Sequence, residues 1–132
     1  MGCSFEFDAV NQILRYSWEG QITDEVLLNG DATGRKLLAS LPPCRGILDF
    51  SKVTAFDASS ETIRKIAKMA PAYGVGQAVV LVAPTDVVYG LARMFVMLGE
   101  KSRPNEYVVR TMAEAYQLLG VAAPQFNPIA VP

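Results

Sequence analysis

Ala78-Val79-Val80-Leu81-Val82-Ala83, an uninterrupted apolar run between Gly76 and Pro84, decides the fold. A short run bounded by turn residues, with no polar position at either parity, reads as a strand covered on both faces. Such a strand belongs in the middle of a sheet with helices on each side. Working outward, Ile47-Leu48-Asp49-Phe50 reads as a second buried strand, and Tyr107 to Arg110 as a third. Between them, Ile63, Ile66, Ala67 and Ala70 recur at helical spacing, and Pro84-Thr85-Asp86 opens a further helix over residues 87–98. A last helix, Met112 to Leu119, closes at Gly120. The stretch from Ser51 to Ser60 reads as a polar connection.

Toward the N-terminus, Phe5 to Val10 and Ile13 to Ile22 form a hairpin, with Leu14, Tyr16 and Trp18 alternating with Arg15, Ser17 and Glu19. Thr23 then caps a helix that has Asp24 and Glu25 in its first turn and ends at Pro42-Pro43. Gly30 and Gly34 fall on its apolar face, where a missing Cβ permits close approach to a neighbour. The order ββαβαβαβα predicts an α/β fold. Its mixed sheet has about five strands, an N-terminal hairpin followed by βα crossover units. Residues 1–120 make one domain, and the uncharged, proline-rich residues 121–132 make a tail, frayed or laid on a surface.

On a helical wheel, Val87, Val88, Leu91, Met94, Phe95 and Leu98 share one face of the third helix, the expected core face. The far side then holds Tyr89, Arg93, Val96 and Met97, too apolar for a face that meets only water. A second copy of the chain, the tail or a small apolar ligand each suits that surface, as does other coverage from within the chain.

Composition narrows the function. The 132 residues carry 12 Lys+Arg against 13 Asp+Glu, a net charge of −1, and no histidine. Without a basic excess, nucleic-acid binding is not expected. Without histidine there is no Ser-His-Asp or Cys-His catalysis and no histidine-bound zinc. Asp49, Asp57 and Asp86 fall near the carboxyl ends of strands, where a cation or acid/base site is built in open sheets. Helix capping accounts for Asp57 and Asp86, however, and the chain has no phosphate-cradling glycine motif, so no enzyme, metal or cofactor is expected. Cys3 and Cys44 have no metal or redox spacing and read as reduced thiols of a cytoplasmic protein. No export signal, lipidation site or membrane span is expected.

The run Ile47-Leu48-Asp49-Phe50-Ser51-Lys52-Val53-Thr54-Ala55-Phe56-Asp57-Ala58-Ser59-Ser60 resembles the strand, loop and helix start of STAS domains, the anti-sigma-factor-antagonist type. Val80 to Phe95 and Tyr107 to Ala115 are similar to the SpoIIAA-like variant group, so the resemblance covers most of residues 5–120. It implies a protein-recognition module rather than an enzyme. By position Ser59 falls on the family's phosphoacceptor, in a loop that meets a kinase-like partner, an anti-sigma factor. Ala58 and Ser60 depart from the family's hydroxyl residue and glycine. The expected partner surface is therefore Asp57, Ser59, Ser60, Thr85 and Asp86, with Asp57 or Ser59 also an ordinary N-cap. A homodimer through the helix containing Arg93 is a secondary expectation. The alternative is a SEC14-like carrier whose small apolar ligand lies against Tyr89, Val96, Met97 and Phe126.

Overall fold

Local signals set the first elements. In the computed structural model, which describes residues 2–131, strand β1 (Cys3–Asp8) pairs antiparallel with β2 (Ile13–Ile22) from Cys3↔Trp18 to Asp8↔Ile13. Met1 and Pro132, the last proline of the tail, lie outside the described residues. The turn between β1 and β2 places Gln12 at φ 55°, while the Asp8 carboxylate accepts the Asn11 N–H at 2.8 Å. β1 thus stops before Val10, which the sequence pattern had included and which is exposed in the turn.

Helix α1 (Asp24–Ser40) begins where Thr23 Oγ1 accepts the Val26 N–H at 3.3 Å. Its two core glycines are close-packing positions: a Cβ on Gly30 would overlap the Trp18 indole, and one on Gly34 the Tyr16 phenol. The aromatic side chains of β2 therefore lie directly against the backbone of α1. There follow β3 (Arg45–Phe56), α2 (Ser60–Ala67), β4 (Val79–Val82), α3 (Asp86–Leu98), β5 (Glu106–Val109), α4 (Met112–Leu119) and β6 (Asn127–Pro128).

The sheet has six strands in the order β5-β4-β3-β2-β1-β6. β2 to β5 are mutually parallel, and β1 is antiparallel to both of its neighbours. All four residues of β4 are buried, as its apolar run requires. By the two-residue period of strands, Leu14, Tyr16, Trp18 and Leu81 face one way, with α1, α2 and α3, and Ile13, Ile47, Val80 and Val82 face the other, with Ala115 and Leu119 of α4.

Three expectations need correction, and of the two forms expected for the tail the structure shows the one laid on the fold. The residues after Phe50 are no polar connection: β3 runs on to Phe56, paired among the described residues with β2 alone, through to Ile22↔Phe56. Ser51, Lys52, Thr54 and Ala55 are exposed there because β4 stops pairing at Asp49↔Val82. α2 ends at Ala67, leaving Ala70 exposed beyond it. The tail supplies the sixth strand, Asn127 and Pro128 pairing with Phe7 and Glu6, and Ile129 donating to Phe5 O at 3.0 Å. Finally, α3 is turned by roughly a quarter of a revolution from the expected wheel. Val88 and Ala92 are its buried residues, Val87 and Leu98 are 67 % and 51 % exposed, and Tyr89 and Val96 are half-buried. A helix apolar nearly all round gives its own sequence no preferred face, so the neighbours set the rotation.

Candidate functional site

Parallel strands followed by helices bring helix starts together at the carboxyl edge of the sheet. β2 leads through Thr23 into α1, and β3 leads through the turn Asp57–Ser59 into α2, so those two starts lie side by side. Ser59 is the N-cap of α2, its Oγ accepting the Thr62 N–H at 3.1 Å, and Ser60 is the first helical residue. The Ser59 N–H donates to Asp24 Oδ1 at 2.6 Å and the Ser59 hydroxyl to Asp24 Oδ2 at 3.3 Å. Hydrogen bonds from the Ser59 N–H and the Thr62 hydroxyl hold the Asp24 carboxyl below the usual aspartate range. Beside this clip, Asp57 Oδ2 accepts from Gln21 Nε2 at 2.6 Å. Asp24, Glu25, Asp57, Ser59, Ser60 and Glu61 are all exposed, so the joint between the helices is an acidic surface.

Thr85 and Asp86 stand at the corresponding edge of β4. Thr85 caps α3, taking the Val88 N–H at 3.4 Å, and Asp86 opens it. Arg110, just beyond β5, donates to Asp86 Oδ1 at 2.8 Å and to Pro84 O at 3.2 Å, with its guanidinium 4.0 Å from the Tyr89 ring centre. The five expected partner residues thus fall into two clusters. Among the described residues no hydrogen bond or ion pair joins them. Of the expected dimer or ligand surface, Arg93 and Met97 are exposed, whereas Val96 is half-buried and Tyr89 is partly covered by Arg110. Phe126 is elsewhere, 6.4 Å from Tyr116 on the α4 side of the sheet.

The three aspartates weighed for acid/base or cation chemistry each have a partner of their own. Asp49 accepts the Ser51 N–H at 2.9 Å and the Ser51 hydroxyl, Asp57 has Gln21, and Asp86 has Arg110. Among the described residues no three carboxylates or thiols gather as metal ligands. Burial pushes the Cys3 thiol up to about 12 and raises that of Cys44 as well, so neither is a thiolate at neutral pH.

Neither a protein-family model nor a curated protein matches the sequence. Among solved structures, the chain is similar to an uncharacterized DUF3478-family protein with a SpoIIAA-like fold from Shewanella loihica PV-4. The superposition has a TM-score of 0.57 at 14 % identity and covers 89 % of this chain and 91 % of that one. The fold is SpoIIAA-like. In this SpoIIAA-like fold Ser59 caps α2 at the β3–α2 turn. Asp24, the partner of Ser59, was legible only as a first-turn charge of α1. The signal for its second role is topological: parallel pairing of β2 with β3 places the two helix starts together.

Proposed function

We propose that the protein is a cytoplasmic, non-enzymatic STAS-like recognition module that meets another protein through the Asp57–Ser60 turn and the adjoining start of α1. The observation that carries this reading is the double hydrogen bond from Ser59 to Asp24, in which one exposed hydroxyl residue joins two helix starts. Phosphorylation would break that joint. A partner kinase would move the terminal phosphoryl group of a nucleoside triphosphate to Ser59 Oγ, releasing the hydroxyl proton and the diphosphate. The new group carries nearly two negative charges and meets the Asp24 carboxylate, with Asp57 and Glu61 exposed nearby. The acidic surface suits a partner with a basic face, and Thr85 and Asp86 form a second patch on the same edge of the sheet. Cys3 and Cys44 are free thiols, in keeping with a reducing compartment. No helix among the described residues is long and apolar enough to cross a membrane.

Affinity recovery of partners from the host with wild type, Ser59→Ala and Ser59→Asp tests the reading. Ser59→Ala loses an N-cap, costing about 1 kcal/mol, and retains the partner. Ser59→Asp keeps a capping oxygen but repels Asp24, and recovers at least tenfold less. Equal recovery of the same partners by all three proteins would sink the switch.

A second reading, self-association, is favoured by α3, where Val87, Met97 and Leu98 leave more than half of their surface in solvent. Met97→Lys is expected to turn a dimer into a monomer in sedimentation velocity. A wild-type protein that sediments as a monomer at its highest soluble concentration would remove this reading.

A further inference from the structure

We infer that a cavity between the sheet and helices α1–α3 is a binding site for a small monocarboxylate with a single short apolar chain. It has two adjoining chambers. The inner one, about 80 Å³, is walled by Trp18 and Phe50 from the sheet and by Ile63, Val88, Leu91 and Phe95 from the helices. The outer one, about 160 Å³, shares Tyr16, Asp31, Leu48, Ile66 and Phe95 with the inner and is bordered by the connections 71–77 and 102–106. For scale, an apolar cavity of about 150 Å³ takes up a benzene-sized molecule, so the inner chamber takes the end of a carbon chain and the rest of the chain runs into the outer one. Asp31 is the one charged residue of the inner wall among the described residues, and it belongs to both chambers. The inner space therefore suits carbon and the outer space a polar head.

The charges of the outer chamber choose the head. Each of the three nitrogens of Arg103 has a partner: they donate to Ala67 O at 2.8 Å, Met69 O at 3.4 Å and Glu106 at 3.3 Å, with the guanidinium 4.7 Å from the Phe95 ring centre. Arg35 differs. Its Nε donates to Asp31 at 2.9 Å and its Nη1 to Ala70 O at 2.7 Å, while Nη2 makes no hydrogen bond among the described residues. A guanidinium presenting a spare N–H beside an apolar chamber is matched by a carboxylate. Burial pushes the Glu106 carboxyl up to about 7 against the pull of Arg103. Arg35 pairs with Asp31 and Arg103 with Glu106, and the N–H groups that these guanidiniums have to spare are donors, which favours an anionic head over an ammonium.

Trp18 is the only tryptophan of the chain and stands in the inner wall, so its emission reports occupancy directly. The test titrates the intact protein with octanoate and with octylamine, which have the same body and opposite heads. Octanoate is expected to shift the emission saturably and to bind at least tenfold more tightly than octylamine. Leu91→Phe, which narrows the inner chamber, is expected to weaken octanoate at least tenfold, and Arg35→Gln to bring it down to the level of octylamine. No saturable change with octanoate, or equal affinity for both heads, overturns the proposal. Should Arg35→Gln fail to fold, the comparison of the two heads on wild type still decides it.

Discussion

Replacing Trp18 with alanine is expected to lower the free energy of unfolding by about 3–5 kcal/mol, the range for deleting a large buried aromatic side chain. Three contacts place Trp18 at the upper end. Its ring lies parallel to Phe50, with centroids 5.7 Å apart, sits 6.4 Å from Tyr16, and covers Gly30 of α1. The void left by alanine would face a glycine, which has no side chain to lean inward, and would merge with the chamber that Trp18 walls. Trp18→Phe provides the control. It keeps an aromatic ring against Phe50 and deletes Nε1, a buried donor without a partner among the described residues. Removing an unpaired donor restores the cost of having desolvated it, which offsets part of the lost contact area. Phenylalanine is therefore expected to cost no more than roughly half the alanine loss. Urea unfolding followed by far-ultraviolet circular dichroism measures both variants, since neither retains a tryptophan. An alanine loss under about 1 kcal/mol would mean that α1 and α2 close over the site, and that the aromatic row of β2 does not hold the helices apart.

That aromatic row was legible in the sequence because the signals that build it are local. Leu14, Tyr16 and Trp18 alternate with polar neighbours, Gly30 and Gly34 lie on one helix face, and the β4 run is apolar at every position. The second half of β3 was not legible. A strand paired on one side only leaves its polar residues in water, and Ser51, Lys52 and Thr54 then look like a loop. The rotation of α3 was hidden for the opposite reason, an excess of apolar residues around the whole helix. β6 pairs with a strand at the far end of the chain through two residues, too few for any periodicity. In the candidate site, Ser59 could be placed as a helix cap, because capping is decided within four residues. Its bond to Asp24 depends on which strands are neighbours, and spacing along the chain carries no such information. The cavity was invisible for the same reason: the walls of its inner chamber come from three strands and three helices, each chosen by packing.

Acid is expected to release the C-terminal strap through Asp8. This carboxylate is fully buried at the end of β1, where it accepts the Asn11 N–H at 2.8 Å, the Asn11 amide at 2.7 Å and the Gln125 N–H at 2.8 Å. Burial pushes its pKa up, but hydrogen bonds from the backbone of Asn11, Gln125 and Val10 and from the Asn11 side chain outweigh it and hold the group below the usual range. A carboxyl whose folded pKa is depressed contributes stability that is fully present above its unfolded value, about 3.9, and is lost as pH falls through the folded one. Protonation therefore withdraws an acceptor from Gln125 just before Phe126, over which Arg15 stacks at 4.1 Å, and the β6 pairing that follows. Asp8→Asn removes the charge at every pH and is expected to cost about 2–3 kcal/mol near pH 7, the scale for hydrogen bonds to an ionised group whose buried donors lose it. Wild type and variant should converge in stability as the pH falls below about 4, because protonated Asp8 is as poor an acceptor as asparagine. Amide exchange at Gln125 and Ile129 gives the local readout: both protected in wild type at neutral pH, both faster in the variant. A constant stability gap between the two proteins down to about pH 3 would show that the strap is held by Phe126 and the β6 pairing alone, with Asp8 serving only to shape its own turn.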